Sequence, residues 1–154
     1  MLKHLTMTRH LSMLTIGALL LCLTTLLQAE QKFSDERYEI HYNAFNSTLI
    51  PAEVASRHGL TRSGNRGFVN IAVLEKQEDG STLPVSAEVT GESRNIVQQR
   101  QTLDFQEIQD ADAIYSISSF QFTNEALLTM TFNIKPEGAD QTYTLELQQT
   151  FYVD

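Results

Sequence analysis

The amino-acid sequence predicts an all-β protein, an immunoglobulin-like antiparallel β-sandwich of about seven strands. Apolar and polar residues alternate along most of the chain after residue 35, and this period of two is typical of strands with one buried face. Turn signals such as Asp79-Gly80 and Pro136-Glu137-Gly138 separate the alternating segments. About seven strands with short polar turns is the number expected of an immunoglobulin-like sandwich.

The first strand is predicted at residues 36–42, where Tyr38, Ile40 and Tyr42 share one face. The next four are predicted at residues 68–74, 84–90, 95–108 and 113–122, of which 95–108 is long enough to break into two. The last two are predicted near residues 128–134 and 143–153. In these later strands we expect Phe132 and Leu147 in the core, together with Ile96, Leu103, Phe105 and Val153.

One short helix is predicted between the first two strands, at Pro51–His58. Proline is favoured at the first position of a helix, and Gly59 can adopt the left-handed conformation that ends one.

The first 29 residues are predicted to be a signal peptide. Lys3 and Arg9 form a positive beginning, residues 11–27 are apolar or small, and Gln28-Ala29 provides a cleavage site. We therefore expect cleavage after Ala29 and one domain at residues 30–154. Two alternatives are an uncleaved membrane anchor and a lipid attached to Cys22, although the bulky Leu21 before that cysteine disfavours the lipid.

Charge restricts the class of partner. Residues 1–29 hold two basic and no acidic side chains, so their removal leaves 125 residues with nine basic and 19 acidic ones, a formal net charge of −10. Such a surface repels the phosphates of nucleic acids, and a nucleic-acid partner is therefore not expected.

Several segments resemble one bacterial family. They are residues 38–48, residues 59–66, Val69-Asn70-Ile71, Ala113-Ile114-Tyr115 and the ending Gln149-Thr150-Phe151-Tyr152. Together, in this order, they are similar to exported proteins of Gram-negative bacteria that form a domain of unknown function (family 4426). The resemblance covers the mature chain and implies a periplasmic domain, and it implies no activity.

The sequence favours a non-catalytic protein without a metal or cofactor. Only His41 and His58 remain as neutral-pH bases after residue 29, and they fall in unrelated elements, which makes a weak ligand set. Asp110 and Asp112 form a carboxylate pair on a predicted turn, but acid–base catalysis needs carboxylates that face each other across a cleft.

The segment 57–67 contains the candidate binding site. It holds three basic residues and no acid, and two of its glycines allow successive backbone N–H groups to converge on an anion. Arg62 and Arg66 can offer planar guanidinium groups to a carboxylate or phosphate. Alternatively, they pair with the chain's own Asp and Glu side chains. We expect both arginines to lie near Tyr42, Asn43 and Asn46, since only a short helix separates the two stretches.

The sequence thus predicts a periplasmic binding or accessory domain. The expected partner is an envelope protein or an anionic envelope component, and the membrane is reached only through an uncleaved signal. Two alternatives stay open. One is an enzyme with an unrecognised carboxylate or histidine site, and the other is a structural subunit of an envelope assembly anchored by the signal.

Overall fold

A computed structural model describes residues 31–154. The predicted signal peptide at residues 1–29 lies outside the described residues. Within residues 31–154, no helix is long and apolar enough to cross a membrane.

The described chain consists of ten strands and two short helical segments. In order they are β1 (Gln31–Ser34), β2 (Tyr38–Asn46), a 3-10 helix (Ser47–Leu49), α1 (Ala52–Arg57), β3 (Arg66–Lys76), β4 (Thr82–Val85), β5 (Ala87–Asn95), β6 (Arg100–Leu103), β7 (Gln106–Asp110), β8 (Ala113–Gln121), β9 (Ala126–Pro136) and β10 (Tyr143–Phe151).

The strands form two antiparallel sheets. The first has the order β1-β2-β3-β8-β7, with β4 also paired to β3, and the second has the order β10-β9-β5-β6. All-β architecture in two antiparallel sheets fits the predicted β-sandwich.

The core lies between the two sheets. Phe132 and Leu147 are both buried there, as their alternation predicts. Tyr38 and Ile40 of β2 are buried in the same cluster. At one end, the rings of Phe120 and Phe151 lie 4.9 Å apart between centroids. The alternation of apolar and polar residues along the strands therefore accounts for the core between the two sheets.

The strand count and two core predictions differ from the structure. β1 precedes the first predicted strand, so α1 lies between the second and third strands instead of the first and second. The segment 95–108 separates into β6 and β7, which belong to different sheets. Ile96 is wrong as a core residue because it is 76% exposed in the turn between β5 and β6. Val153 is also exposed, since β10 ends at Phe151.

Helix α1 has the local signals read from the sequence. Pro51 is its N-cap and Ala52 its first helical residue, so the helix is one residue shorter at each end than predicted. Gly59 follows the helix with a φ of +65°, which favours glycine. The N–H of Leu60 donates to the carbonyl of Ala55 at 2.8 Å and closes the end. The chain then enters the loop that leads into β3.

Candidate functional site

Strand β10 is an open edge of the four-stranded sheet. Its nine residues pair with β9 from Tyr143↔Ile134 to Phe151↔Ala126 without a bulge. Among the described residues, no strand pairs with its other side. β10 contains neither proline nor lysine, and Glu146 is its single charged residue. Proline, lysine and bulges are the features with which proteins protect such edges, so this edge can accept another strand.

A groove runs beside this edge, between β10 and the end of β2. β1 begins opposite Tyr42, so within the described chain the β2 residues after Tyr42 have a strand on one side only. Two cavities of about 300 and 370 Å³ follow each other here and share Gln149 and Thr150. We call this space the edge groove. Its lining comprises Gln31, Asn43, Ala44, Asn46, Leu49, residues 147–152 and Asp154.

One end of the edge groove is fixed by a group of polar contacts. The Asn46 amide Nδ2 donates to the carbonyl of Tyr152 at 2.9 Å. The Thr48 hydroxyl donates to a carboxylate oxygen of Asp154, and the Asp154 N–H donates to the carbonyl of Gly64 at 3.2 Å. The hydrogen bond from Thr48 first, and a side-chain hydrogen bond from Asn46 to the same carboxylate second, lower the pKa of Asp154. The last residues of the chain are thereby held against the loop before β3.

Two exposed apolar side chains flank this end of the groove. Leu49 is 65% exposed and Tyr152 is 59% exposed. Large apolar side chains that remain in water beside a concave surface are typical of contact sites for a partner.

The five predicted site residues divide between three places. Asn43 and Asn46 line the edge groove, and Arg62 lies at its end, where Nη2 donates to the carbonyl of Thr48 at 2.9 Å. Tyr42 points into the core, with its ring 6.2 Å from that of Phe132. Arg66 is on the outer face of the six-stranded sheet, where Nη1 donates to the Ser119 hydroxyl at 3.0 Å.

Neither arginine forms an ion pair with an Asp or Glu of the described chain. Arg62 braces the loop through a main-chain carbonyl, and Arg66 does so through a hydroxyl group. The alternative of pairing with the chain's own carboxylates is therefore not what holds this loop.

The predicted base and acid residues do not line the edge groove; they are His41, His58, Asp110 and Asp112. His41 Nε2 lies 2.7 Å from Glu39 Oε1, and Lys32 lies 3.0 Å from the other oxygen of Glu39. Lys32 first, and His41 second, lower the pKa of Glu39. His58 caps α1. Across residues 31–154, no group of three or more His, Cys, Asp or Glu side chains is arranged to hold a metal ion.

Sequence patterns did not identify β10 as the open edge strand. Leu147, Gln149 and Thr150 lie in a strand that was recognised only for its inward-facing residues. The signal available in the sequence was the absence of proline and lysine over nine strand residues.

Comparison with known proteins relates the chain to a family and to solved structures with a similar fold. Residues 32–154 match the family described as Domain of unknown function (DUF4426). A crystal structure of a DUF4426 family protein from Pseudomonas aeruginosa is similar, with a TM-score of 0.71 and 29% identity, over 83% of this chain and 98% of that chain. No curated protein matches the chain.

Two structures of FetP from a uropathogenic Escherichia coli strain share the fold. FetP expressed in the periplasm of E. coli has a TM-score of 0.57 and 10% identity, over 81% of this chain and 95% of that chain. A copper-bound FetP variant has a TM-score of 0.57 and 9% identity, over 81% of this chain and 96% of that chain.

Proposed function

The chain belongs to the DUF4426 family, and from this premise we propose that it is a non-catalytic periplasmic domain that binds an extended segment of an envelope protein. The observation that carries the proposal is the unpaired nine-residue edge of β10. An extended peptide that adds to such an edge gains main-chain hydrogen bonds, while its alternate side chains enter neighbouring pockets. The edge groove supplies two such pockets.

A periplasmic location is proposed because residues 1–29 are predicted to be a signal peptide. In this proposal the signal is cleaved after Ala29 and residues 30–154 form one domain. The fold shared with FetP, which was expressed in the periplasm, supports this location. Copper binding is a property of the FetP variant and is not transferred to this chain, because a likeness at 9% identity concerns the fold alone.

The immunoglobulin-like type is proposed from the strand order. β2-β3-β8-β7 follows the order A-B-E-D, and β10-β9-β5-β6 follows G-F-C-C′. In this assignment β10 is strand G, an edge strand of the sandwich.

The chemistry of the groove defines the segment that fits it. Its polar lining consists of amides and hydroxyls, with the Asp154 carboxylate at one end. The exposed Glu146 lies on the same strand, and the whole chain carries a formal net charge of −8. A neutral or basic segment is favoured on such a surface, whereas an acidic one is repelled. Asn43 would bond the partner's main chain, Asn46 would keep the end of the groove in place, and Leu49 and Tyr152 would cover the partner's apolar side chains.

The proposal is tested with two matched lysine substitutions. Thr150 and Thr90 are both exposed threonines of the four-stranded sheet, but Thr150 is on the edge strand β10, whereas Thr90 is on β5, on the far side of β9 from that edge. A photo-crosslinking residue at Gln148 reports on envelope proteins held at the edge in living cells. We expect Thr150→Lys to abolish the crosslinked product and Thr90→Lys to preserve it, because both add the same charge and only one blocks the edge.

Amide hydrogen exchange on the purified complex gives the second measurement. The main-chain amides of β10 should gain protection when the crosslinked partner, once identified, is added as a peptide. Equal crosslinking by the two lysine variants, or protection elsewhere with none at β10, would contradict the proposal.

A further inference from the structure

A second concave site lies on the outer face of the six-stranded sheet, away from the edge groove. It is a cavity of about 160 Å³ beneath the loop Gly59–Thr61. Its exposed lining is mostly polar, and Leu60, Phe68 and Ile117 are its large apolar residues. We call it the Arg66 cavity, after the side chain that enters it from the start of β3.

Arg66 brings unused bonding capacity to this cavity. Its Nη1 donates to the Ser119 hydroxyl at 3.0 Å, while its Nε is buried and has no hydrogen-bond partner. No carboxylate of the described chain pairs with this guanidinium. The side chain as a whole is half-buried, and a buried donor without an acceptor is costly, so this group calls for a partner outside the described chain, such as an ordered water or a ligand.

The same cavity has a negative side chain on its wall. Asp104, in the short connection between β6 and β7, lines it together with Gln106. Among the described residues, Asp104 forms no ion pair and no hydrogen bond, and it does not pair with Arg66. The wall of the cavity therefore carries one cation and one anion that do not pair with each other, and Asp104 is exposed to solvent.

We propose that the Arg66 cavity binds a small zwitterion of the α-amino acid class. The carboxylate of the ligand accepts hydrogen bonds from Arg66 and Ser119, because a guanidinium matches a carboxylate in geometry and charge. Its ammonium group donates to Asp104. A simple anion leaves Asp104 unpaired and is repelled by it, and a simple cation leaves Arg66 unpaired.

The volume restricts the ligand to a small one. At about 30 Å³ for each molecule of liquid water, the cavity corresponds to roughly five waters. An amino acid with about six non-hydrogen atoms, such as alanine, fills this space and places its methyl group against Phe68 and Ile117. This inference is independent of the strand-binding proposal, since the two sites share no residue.

The test titrates the full-length mature protein with L-alanine and D-alanine separately, and follows binding by calorimetry and by amide NMR shifts. Propionate, which lacks the ammonium group, and N-acetylalanine, which lacks its charge, are the control ligands. We expect one alanine enantiomer or both to bind, and the control ligands to bind about tenfold more weakly or worse, since each leaves a charge unpaired.

Four variants assign the binding to this cavity. Arg66→Gln and Asp104→Asn should each weaken alanine binding by about tenfold or more. The matched controls Arg94→Gln, on β5 of the other sheet, and Asp112→Asn alter the same residue types outside the cavity and should leave binding unchanged. Asp104 is exposed and unbonded, so its variant stays folded even where Arg66→Gln does not.

Three outcomes would overturn the inference. They are the absence of alanine binding at millimolar concentration, equal binding of propionate and alanine, and unchanged binding in Asp104→Asn.

Discussion

Replacing Tyr143 by phenylalanine should weaken the attachment of the two sheets to each other. Tyr143 begins β10, and its hydroxyl donates to Asp35 Oδ2 at 2.6 Å. Asp35 lies in the β1–β2 connection, in the other sheet, where Oδ1 accepts the N–H groups of Arg37 and Tyr38 at 2.8 and 2.7 Å. The substitution removes one hydroxyl and keeps the ring, which packs 5.3 Å from Phe33 between centroids.

The expected loss follows from the charge on the acceptor. A hydrogen bond to an ionised group contributes about 1.5–3 kcal/mol to the free energy of unfolding. Asp35 is half-buried, so water replaces part of the lost bond, and we expect a loss near the lower end, about 1.5–2 kcal/mol. With a urea m-value of about 2 kcal/mol/M, the unfolding midpoint falls by about 0.8–1 M. The control Tyr152→Phe removes a hydroxyl at an exposed position and should not shift the midpoint.

The pH dependence of this loss provides a second check. The Tyr143 hydroxyl is the first cause that lowers the pKa of Asp35, and burial first, then Asp35, raises the pKa of Tyr143 to about 12. Because the folded pKa of Asp35 lies below its unfolded value of about 3.9, the stabilisation is complete above that pH and disappears as pH falls through the folded value. The tyrosine contribution is complete below about pH 10 and is lost towards pH 12.

Urea titrations of the wild type and Tyr143→Phe at pH 7 and pH 2 test this prediction by comparing their unfolding midpoints. A difference at pH 7 that shrinks at pH 2 supports the reasoning. Equal midpoints at pH 7, or an equal difference at both pH values, would refute it.

Three further outcomes are expected. Phe132→Ala should cost about 3–5 kcal/mol in urea unfolding and Thr131→Ala much less, because successive side chains of a strand face opposite ways; equal losses would contradict the assigned strand phase. Gly67→Ala should cost about 1–3 kcal/mol or more, since its added Cβ would lie 2.2 Å from Phe120 Cζ, and Phe120→Leu in the same chain should recover part of the loss. Intact mass spectrometry of the exported protein should show a chain that begins at Glu30, and a chain that retains the first 29 residues would contradict cleavage.

The sequence could predict the parts of the fold that depend on neighbouring residues. Alternation located the buried faces of β2 and β9, and Pro51 and Gly59 located α1. It could not predict that the chain changes sheets at Asp104, because pairing partners are set by contacts between residues far apart in sequence. The same limit applies to Ile96, whose apolar side chain lies on a turn where Asn95 bonds the main chain of Val97 and Gln99.

The candidate site shows the same division between local and distant information. Tyr42 shares the phase of Tyr38 and Ile40, so its inward position follows from the alternation already assigned to that strand. Proximity in sequence correctly suggested that Arg62 lies close to the end of β2. Arg66 occupies the outer face of β3 because Gly67, the next residue, faces the core against Phe120. Asp104, which lines the same cavity, comes from a distant segment, and no local pattern reveals that the two residues share it.

The charge of the chain and its open edge are best understood together. An unbulged edge of nine residues without lysine or proline invites pairing with other chains, including copies of the same protein. The formal net charge of −8 opposes such self-pairing because identical acidic molecules repel each other. The same charge does not hinder a neutral or basic segment from approaching the edge. An acidic surface around an unprotected edge therefore selects against like copies and in favour of a different partner, which is the property that a strand-binding domain requires.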